Sequence, residues 1–215
     1  MFRSTAYSTA SLLVAICLGM ASPSAAATID FDDLGVVTGG AVDGSAFISR
    51  GYLFSSSEHL HVINDHPFAT SWNGTAWLGV AQHGPELHQV TLTKQDGGLF
   101  DLLSLEISEF FAYPNQVEVQ VIGTGANGTV TRLLKVDDLV VADGPGPLDD
   151  FGLVTFDSSW QDLSSVVFVA ADGVGGRWYA LDNIVTGVPE PSPLMLLSSL
   201  GIMVLSLAGL QRMRT

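Results

Sequence analysis

Nearly every patterned stretch of this chain alternates apolar and polar residues with a period of two, the signature of half-buried strands. In "TIDFDDL" (28–34), Ile29 and Phe31 point one way and Asp30 and Asp32 the other. "FDLLSLEI" (100–107) sets Leu103, Leu105 and Ile107 against Ser104 and Glu106, and "QVEVQV" (116–121) sets Val117, Val119 and Val121 against Glu118 and Gln120. "TVTRLLKV" (129–136) is the expected hairpin partner of that strand across the turn-rich "GTGANG" (123–128). "SSVVFVAA" (164–171) is apolar on both faces, as a central strand is, and "RWYALDNIVT" (177–186) closes the series. Gly, Asn, Asp and Pro punctuate these runs, most densely at 39–44, 143–147 and 172–176. No stretch between residues 28 and 187 has helical periodicity, and none repeats another. The pattern predicts an all-β fold of seven to nine strands, an antiparallel β-sandwich of the jelly-roll type, with a closed barrel as the alternative.

Both ends of the 215-residue chain break the pattern. Arg3, the apolar run "SLLVAICLGM" (11–20) and the small-residue "SPSAAA" (22–27) read as a secretory signal peptide cleaved near residue 27. A lipid-anchored start at Cys17 is disfavoured because Ile16 stands where a small residue is needed. At the other end, "LMLLSSLGIMVLSLAGL" (194–210) carries no charge. As a helix it would span about 25 Å, enough to cross a bilayer core. Arg212 and Arg214 follow at once and would hold that end on the cytoplasmic side. The expected organisation is therefore signal peptide 1–27, sandwich domain 28–187 and a C-terminal segment 188–215 with a transmembrane helix.

The prolines of Val188-Pro189-Glu190-Pro191 keep the chain extended just before the span, a form open to a membrane-embedded protease. This element, the apolar span and the terminal arginines together resemble a PEP-CTERM sorting signal. The resemblance implies processing by an exosortase, delivery to the cell surface or extracellular matrix of a bacterium after transient anchoring in its inner membrane, and a link to exopolysaccharide and biofilm. The arginine cluster is thinner than is usual in that family. The domain ahead of it, through "FDLLSLEI", "VEVQVIGTG", "VTFDSSWQDLSSVVF" and "YALDNIV", resembles β-sandwich modules found before such tails, which are related to galactose-binding-like and carbohydrate-binding modules.

Charge and cysteine content narrow the chemistry. Between residues 28 and 187, 21 Asp and Glu face 5 Lys and Arg, a net of −16 with histidine neutral. Such a balance repels nucleic acid and anionic membrane surfaces. The single cysteine lies in the signal peptide, so the mature domain has no disulfide and no cysteine metal site.

Several groups of residues are candidates for binding. In sandwich modules the first and last strands often lie side by side. Asp30, Asp32 and Asp33 with Asp182 and Asn183 then form an oxygen-only set suited to a structural calcium ion. Stacking of a sugar needs an aromatic face with hydrogen-bonding neighbours, which points to Trp72, Asn73, Trp77, Tyr113, Trp178 and Tyr179. His59 and His61, with Asp65, His66, His83 or His88, offer a start for a zinc or copper site, although alternate histidines on a strand surface are common. "GTGANG" matches the glycine spacing of a dinucleotide loop, but the helix that such a loop must open is replaced by an alternating strand. The N-x-[ST] sequons at Asn73 and Asn127 carry little meaning if the host is bacterial, as the sorting-signal resemblance implies.

No G-x-S-x-G elbow and no H-E-x-x-H motif occurs. Glu106 and Glu109 are the carboxylates that a glycosidase reading would use, with Glu106 expected to face solvent. The sequence thus predicts an exported protein that binds extracellular polysaccharide without cleaving it. The alternatives are a structural or adhesive matrix protein with protein partners and a polysaccharide hydrolase.

Overall fold

All but the first of the alternating segments form strands in the computed structural model, which describes residues 26–64, 73–80, 89–109, 117–136, 151–170 and 178–189. Among the described residues, eleven strands run in chain order: β1 (Ala27–Ile29), β2 (Gly40–Ser49), β3 (Tyr52–Asn64), β4 (Trp77–Val80), β5 (Gln89–Lys94), β6 (Asp101–Glu109), β7 (Val117–Gly125), β8 (Gly128–Val136), β9 (Gly152–Thr155), β10 (Leu163–Ala170) and β11 (Tyr179–Gly187). Two three-residue 3-10 turns, Asp32–Leu34 and Ser158–Trp160, are the only helical pieces among the described residues.

All the pairings are antiparallel. The strands follow one hydrogen-bonded path, β8-β7-β10-β5-β3-β4-β11-β6-β9. What folds this path into two leaves is β3. Its first half, Tyr52 to Ser56, pairs with β5, and its second half, Leu60 to Ile63, pairs with β4. Along its other edge β2 follows it, with a register break between Gly44 and Ala46. That irregularity lets the long hairpin bend from one leaf into the other, as bulges do. One leaf is therefore β8-β7-β10-β5 with the start of β3, and the other is the end of β3 with β4, β11, β6 and β9. The product is an antiparallel β-sandwich.

The inner faces meet in one apolar core. Phe54, Leu92, Phe168 and Val121 from the first leaf and Leu78, Leu105, Leu181 and Ile184 from the second are completely buried. Burying side chains of this size stabilises by about 1.5–3 kcal/mol each. Tyr179 reaches from β11 across the core and donates its hydroxyl to the Phe168 carbonyl of β10 at 3.0 Å, tying the leaves together.

Two expectations change at bulges. Strict alternation places Leu103 inward, yet it is exposed and Leu102 is buried. The pairing shifts between Val185↔Ser104 and Thr186↔Leu102, leaving Leu103 as an extra residue that turns the parity of β6. The strand expected over 28–34 stops at Ile29, because Phe31 takes a left-handed φ of 55° and leads into the first 3-10 turn. Its ring remains in the core, edge-on to Phe54 at 5.0 Å.

Candidate functional site

The outer face of the second leaf gathers most of the described candidate residues. Register places His61 beside Gly79, Gly79 beside Ala180, and Ala180 beside Ser108 across β3, β4, β11 and β6. Side chains two residues apart share a face, so Trp178, Ala180 and Asp182 lie on this side of β11, while Tyr179 and Leu181 point into the core. Ile63, Trp77, Phe151 and Ala180 form a second apolar cluster here, with Trp178 packed against it.

"LDNI" (181–184) owes its form to a bulge. Asp182 pairs with Glu106 and Val185 with Ser104, so Asn183 and Ile184 together oppose Leu105. Asn183 accommodates this with a left-handed φ of 45°, a conformation that Asn tolerates better than most residues. Asp182 and Asn183 can then both turn toward Glu106, while Leu181 and Ile184 both remain in the core. Asn183 donates its amide to Glu106 Oε2 at 2.9 Å.

Asp182 is the centre of this network and has no exposed surface. Its Oδ2 lies 2.6 Å from Asn73 Nδ2 and 2.7 Å from Thr75 Oγ1, and Asn73 Nδ2 is also 3.4 Å from Glu106 Oε2. Burial pushes its carboxyl up to about 7; the hydrogen bonds from Asn73 and Thr75 pull the other way, and the charge of Glu106 adds to the rise. The geometry suits the protonated acid. Thr75 has one hydroxyl proton for two neighbours, Asn73 Oδ1 at 2.9 Å and Asp182 Oδ2. A proton on Oδ2 donates to Thr75 Oγ1, Thr75 donates to Asn73 Oδ1, and Asn73 Nδ2 donates back to Oδ2, closing a ring. Asp182 Oδ1 stays buried without a partner, a large penalty for a charged oxygen and a smaller one for a neutral carbonyl.

The expected calcium ligands do not converge. The first and last strands do pair, Ile29 opposite Ile184. Asp30, however, holds the Arg50 guanidinium in a bidentate contact at 3.1 Å. Asp33 accepts from Ser49 Oγ at 2.6 Å and from the Arg50 backbone N–H at 2.9 Å. Together they clamp the β2–β3 turn, where Arg50 and Gly51 have φ of 50° and 82°. Asp32 accepts from the Ala76 N–H at 2.9 Å. Only Asp182 and Asn183 remain together, on the Glu106 side. Among the described residues, no group of three or more His, Cys, Asp and Glu side chains gathers to hold a metal. His61 instead sits 2.5 Å from Asp43 and stacks flat against Trp178, with centroids 6.1 Å apart at 6°. His59 falls in the part of β3 that β2 skips.

The aromatic candidates separate by burial. Trp77 is fully buried, edge-on to Phe151 at 6.2 Å, and Tyr179 spans the core, so both are packing residues rather than sugar platforms. Trp178 is half-buried and Asn73 is partly accessible. Trp72, Tyr113, Asp65, His66, His83, His88, Glu190, Pro191, Arg212 and Arg214 lie outside the described residues, whereas Val188 and Pro189 follow β11. Alternation has Glu106 facing solvent; it is instead partly buried and bonded to Asn183, and Glu109 is buried. Thr75, which stands with Asn73 between Trp72 and Trp77 in the sequence, enters the site through its contact with Asp182.

No family model matches this chain, and no curated protein does. Among solved structures it is similar to a lysine-to-alanine mutant of the family 29 carbohydrate-binding module CBM29-2 complexed with cellulohexaose. Identity is 12%, the TM-score is 0.45, and the match covers 78% of this chain and 93% of that one. An aspartate-to-alanine mutant of CBM29-2 gives 11% identity and a TM-score of 0.45, covering 82% and 97%. The family 11 module from Clostridium thermocellum, in complex with a mixed-linked tetrasaccharide, gives 13% identity and a TM-score of 0.38, covering 79% and 98%.

Proposed function

We propose that this protein is exported, processed at its PEP-CTERM-like tail by an exosortase, and binds extracellular polysaccharide at the outer face of the β3-β4-β11-β6 leaf without cleaving it. The sugar ligands in the names of the solved neighbours belong to those proteins. The observation that carries the reading here is Trp178. Its indole is half-buried and held flat by His61. It shares a face with the partly accessible Asn73, Glu106 and Asn183, whose positions are fixed by hydrogen bonds to one another and to the buried Asp182. A rigid ring beside fixed polar groups is what the C–H face and hydroxyls of a sugar require.

A hydrolase is the second reading, favoured by one observation. Asp182 and Glu106 both reach Asn73 Nδ2, which keeps those carboxylate oxygens within about 6 Å, near the separation of about 5–5.5 Å in retaining glycosidases. Access decides against it. A general acid must touch the glycosidic oxygen, and Asp182 has no exposed surface. The pair instead anchors the 73–76 segment to β11. Calcium has no part in the reading, since three of its five expected ligands are engaged elsewhere.

The test is retention on the host's own exopolysaccharide, with calcium and with EDTA, together with mass spectrometry of the C terminus in hosts with and without the exosortase. Retention in both buffers, loss on Trp178→Ala, and exosortase-dependent removal of the tail are expected. A folded protein that is not retained, or one that soluble sugars fail to displace, would leave a structural matrix protein with protein partners. Release of reducing sugar abolished by Glu106→Gln would establish the hydrolase.

A further inference from the structure

We propose a second binding site, for a single neutral sugar residue, in the crevice between the β7–β8 hairpin tip and the 3-10 turn Ser158–Trp160. The crevice belongs to the other leaf from the Trp178 face and encloses about 300 Å³. That volume is at the lower end of small-molecule sites, about 300–1,000 Å³, and suits one or two rings rather than a chain.

Its walls are built rather than incidental. At Gly125 an added Cβ would lie 2.2 Å from the Asp162 carbonyl oxygen, so only glycine lets the hairpin approach the segment ahead of β10. At Gly123 a Cβ would press to 3.0 Å on the Trp160 ring. Asp162 itself has a left-handed φ of 56°, and its N–H donates to Asp101 at 2.9 Å. Asp157 caps the 3-10 turn by accepting from Ser159 N–H at 2.9 Å and from Ser159 Oγ at 2.5 Å. Ser164 ties the neighbouring bulge to the Thr124 carbonyl at 3.0 Å. The "GTGANG" stretch, which is no dinucleotide loop, therefore has a definite role as one wall of this crevice.

The chemistry of the lining selects the ligand. Val130 supplies partly exposed apolar surface above the buried Leu163, while the exposed residues Asn127, Thr129, Ser158 and Gln161 bring amide and hydroxyl groups to the rim. These four residues are exposed, and their side chains make no hydrogen bond to another described residue. No charged group is found among the described residues that line it. In a chain of net charge −14, an anionic ligand is repelled, and a cation finds no carboxylate in the lining. Mixed donors and acceptors over an apolar floor match a neutral ring bearing several hydroxyls.

The experiment titrates the full chain with the methyl glycosides of glucose, galactose and mannose, read by saturation-transfer NMR, with glucuronate as the charged comparator. Expected is binding of at least one neutral glycoside, weakened tenfold or more by Asn127→Ala and by Gln161→Ala and unchanged by Trp178→Ala, with glucuronate weaker. Both positions are exposed; thermal unfolding checks each variant, and Ser158→Ala serves if either is misfolded. Binding lost in Trp178→Ala and kept in the crevice variants would overturn this site while leaving the polysaccharide reading intact. No binding of any glycoside by folded protein would overturn it as well, whatever the result on exopolysaccharide.

Discussion

The Arg132 guanidinium lies 5.3 Å from the centre of the Phe156 ring and donates to the carbonyl of Thr155. Arg132 belongs to β8 and Thr155 to β9, the two ends of the strand path. One side chain thus links the open edges of the two leaves over Phe156, which itself packs on Trp160 at 4.7 Å. A cation–π contact at a partly exposed site contributes about 0.5–1 kcal/mol, and a hydrogen bond a similar amount. Arg132→Ala should therefore lower the unfolding free energy by about 1–2 kcal/mol in urea titration. Arg132→Lys should recover less than half of that, because an ammonium cannot lie flat on the ring and reach the carbonyl together. No loss in Arg132→Ala would mean that the edges are held without it.

Asp182 should make stability depend on pH in an unusual direction. Its folded pKa, raised to about 7, exceeds its unfolded value, so between about pH 4 and 7 the folded state holds a proton that the unfolded state has released. The stabilisation is complete below the unfolded pKa and is lost as pH rises toward 7, at up to about 1.4 kcal/mol per pH unit. Asp182→Asn removes this titration. The difference between wild type and variant, measured by denaturant unfolding at several pH values, should shift steadily from about pH 5 to 7 and flatten above it. A flat difference would show that Asp182 is ionised throughout.

How much of this can be read from the chain depends on the range of the interaction. Alternation in "QVEVQV" correctly places Val119 and Val121 in the core, and "TVTRLLKV" does pair with it, because period and turn are local. It misplaces Leu103 because one extra residue in β6 reverses parity, and nothing in "FDLLSLEI" marks it. The acidic residues of "TIDFDDL" look available as ligands; the partners of Asp30 and Asp33, Arg50 and Ser49, are 16 to 20 residues away and come into reach only through the β2–β3 turn, and that of Asp32, the Ala76 N–H, is 44 residues away. Asp182 and Asn183 do belong to a site, but the residues that complete it, Asn73 and Thr75, stand 109 and 107 residues before Asp182. Trp77 looks like a sugar platform by residue type, and nothing local in "SWNGTAWLG" says that Ile63, Phe151 and Ala180 cover it.

Gly125 and Gly128 flank the same two-residue turn and should fail for different reasons. Gly128 has φ of 103° with open space around its Cβ position, so Gly128→Ala carries backbone strain alone, about 1–2 kcal/mol. Gly125→Ala meets the Asp162 carbonyl oxygen at 2.2 Å. Backbone must move there, parting the hairpin from β10, and the loss should exceed that at Gly128. Thermal unfolding of the two variants orders them; equal losses would show that the contact yields easily.

Trp77 and Trp178 provide the sharpest comparison, because they lie on the same leaf and differ in exposure. Trp77 has no exposed surface and packs with Ile63, Phe151 and Ala180. Removing such a side chain leaves a cavity that the sheet cannot fill, at a cost of about 3–5 kcal/mol, a large part of the ~5–15 kcal/mol that holds a domain folded. Trp178 is half-buried, and its stacking on His61 contributes about 0.5–1.5 kcal/mol beyond area burial. Trp178→Ala should therefore remain folded with a modest loss in urea titration, yet lose retention on exopolysaccharide. Trp178→Phe keeps a smaller ring on His61 and should restore part of the retention. Trp77→Phe preserves an apolar filler and should remain folded with retention intact, since no sugar reaches that ring. If Trp77→Phe abolished retention while Trp178→Ala left it unchanged, the binding surface would have to lie elsewhere on the sandwich, and the half-buried indole would be packing alone.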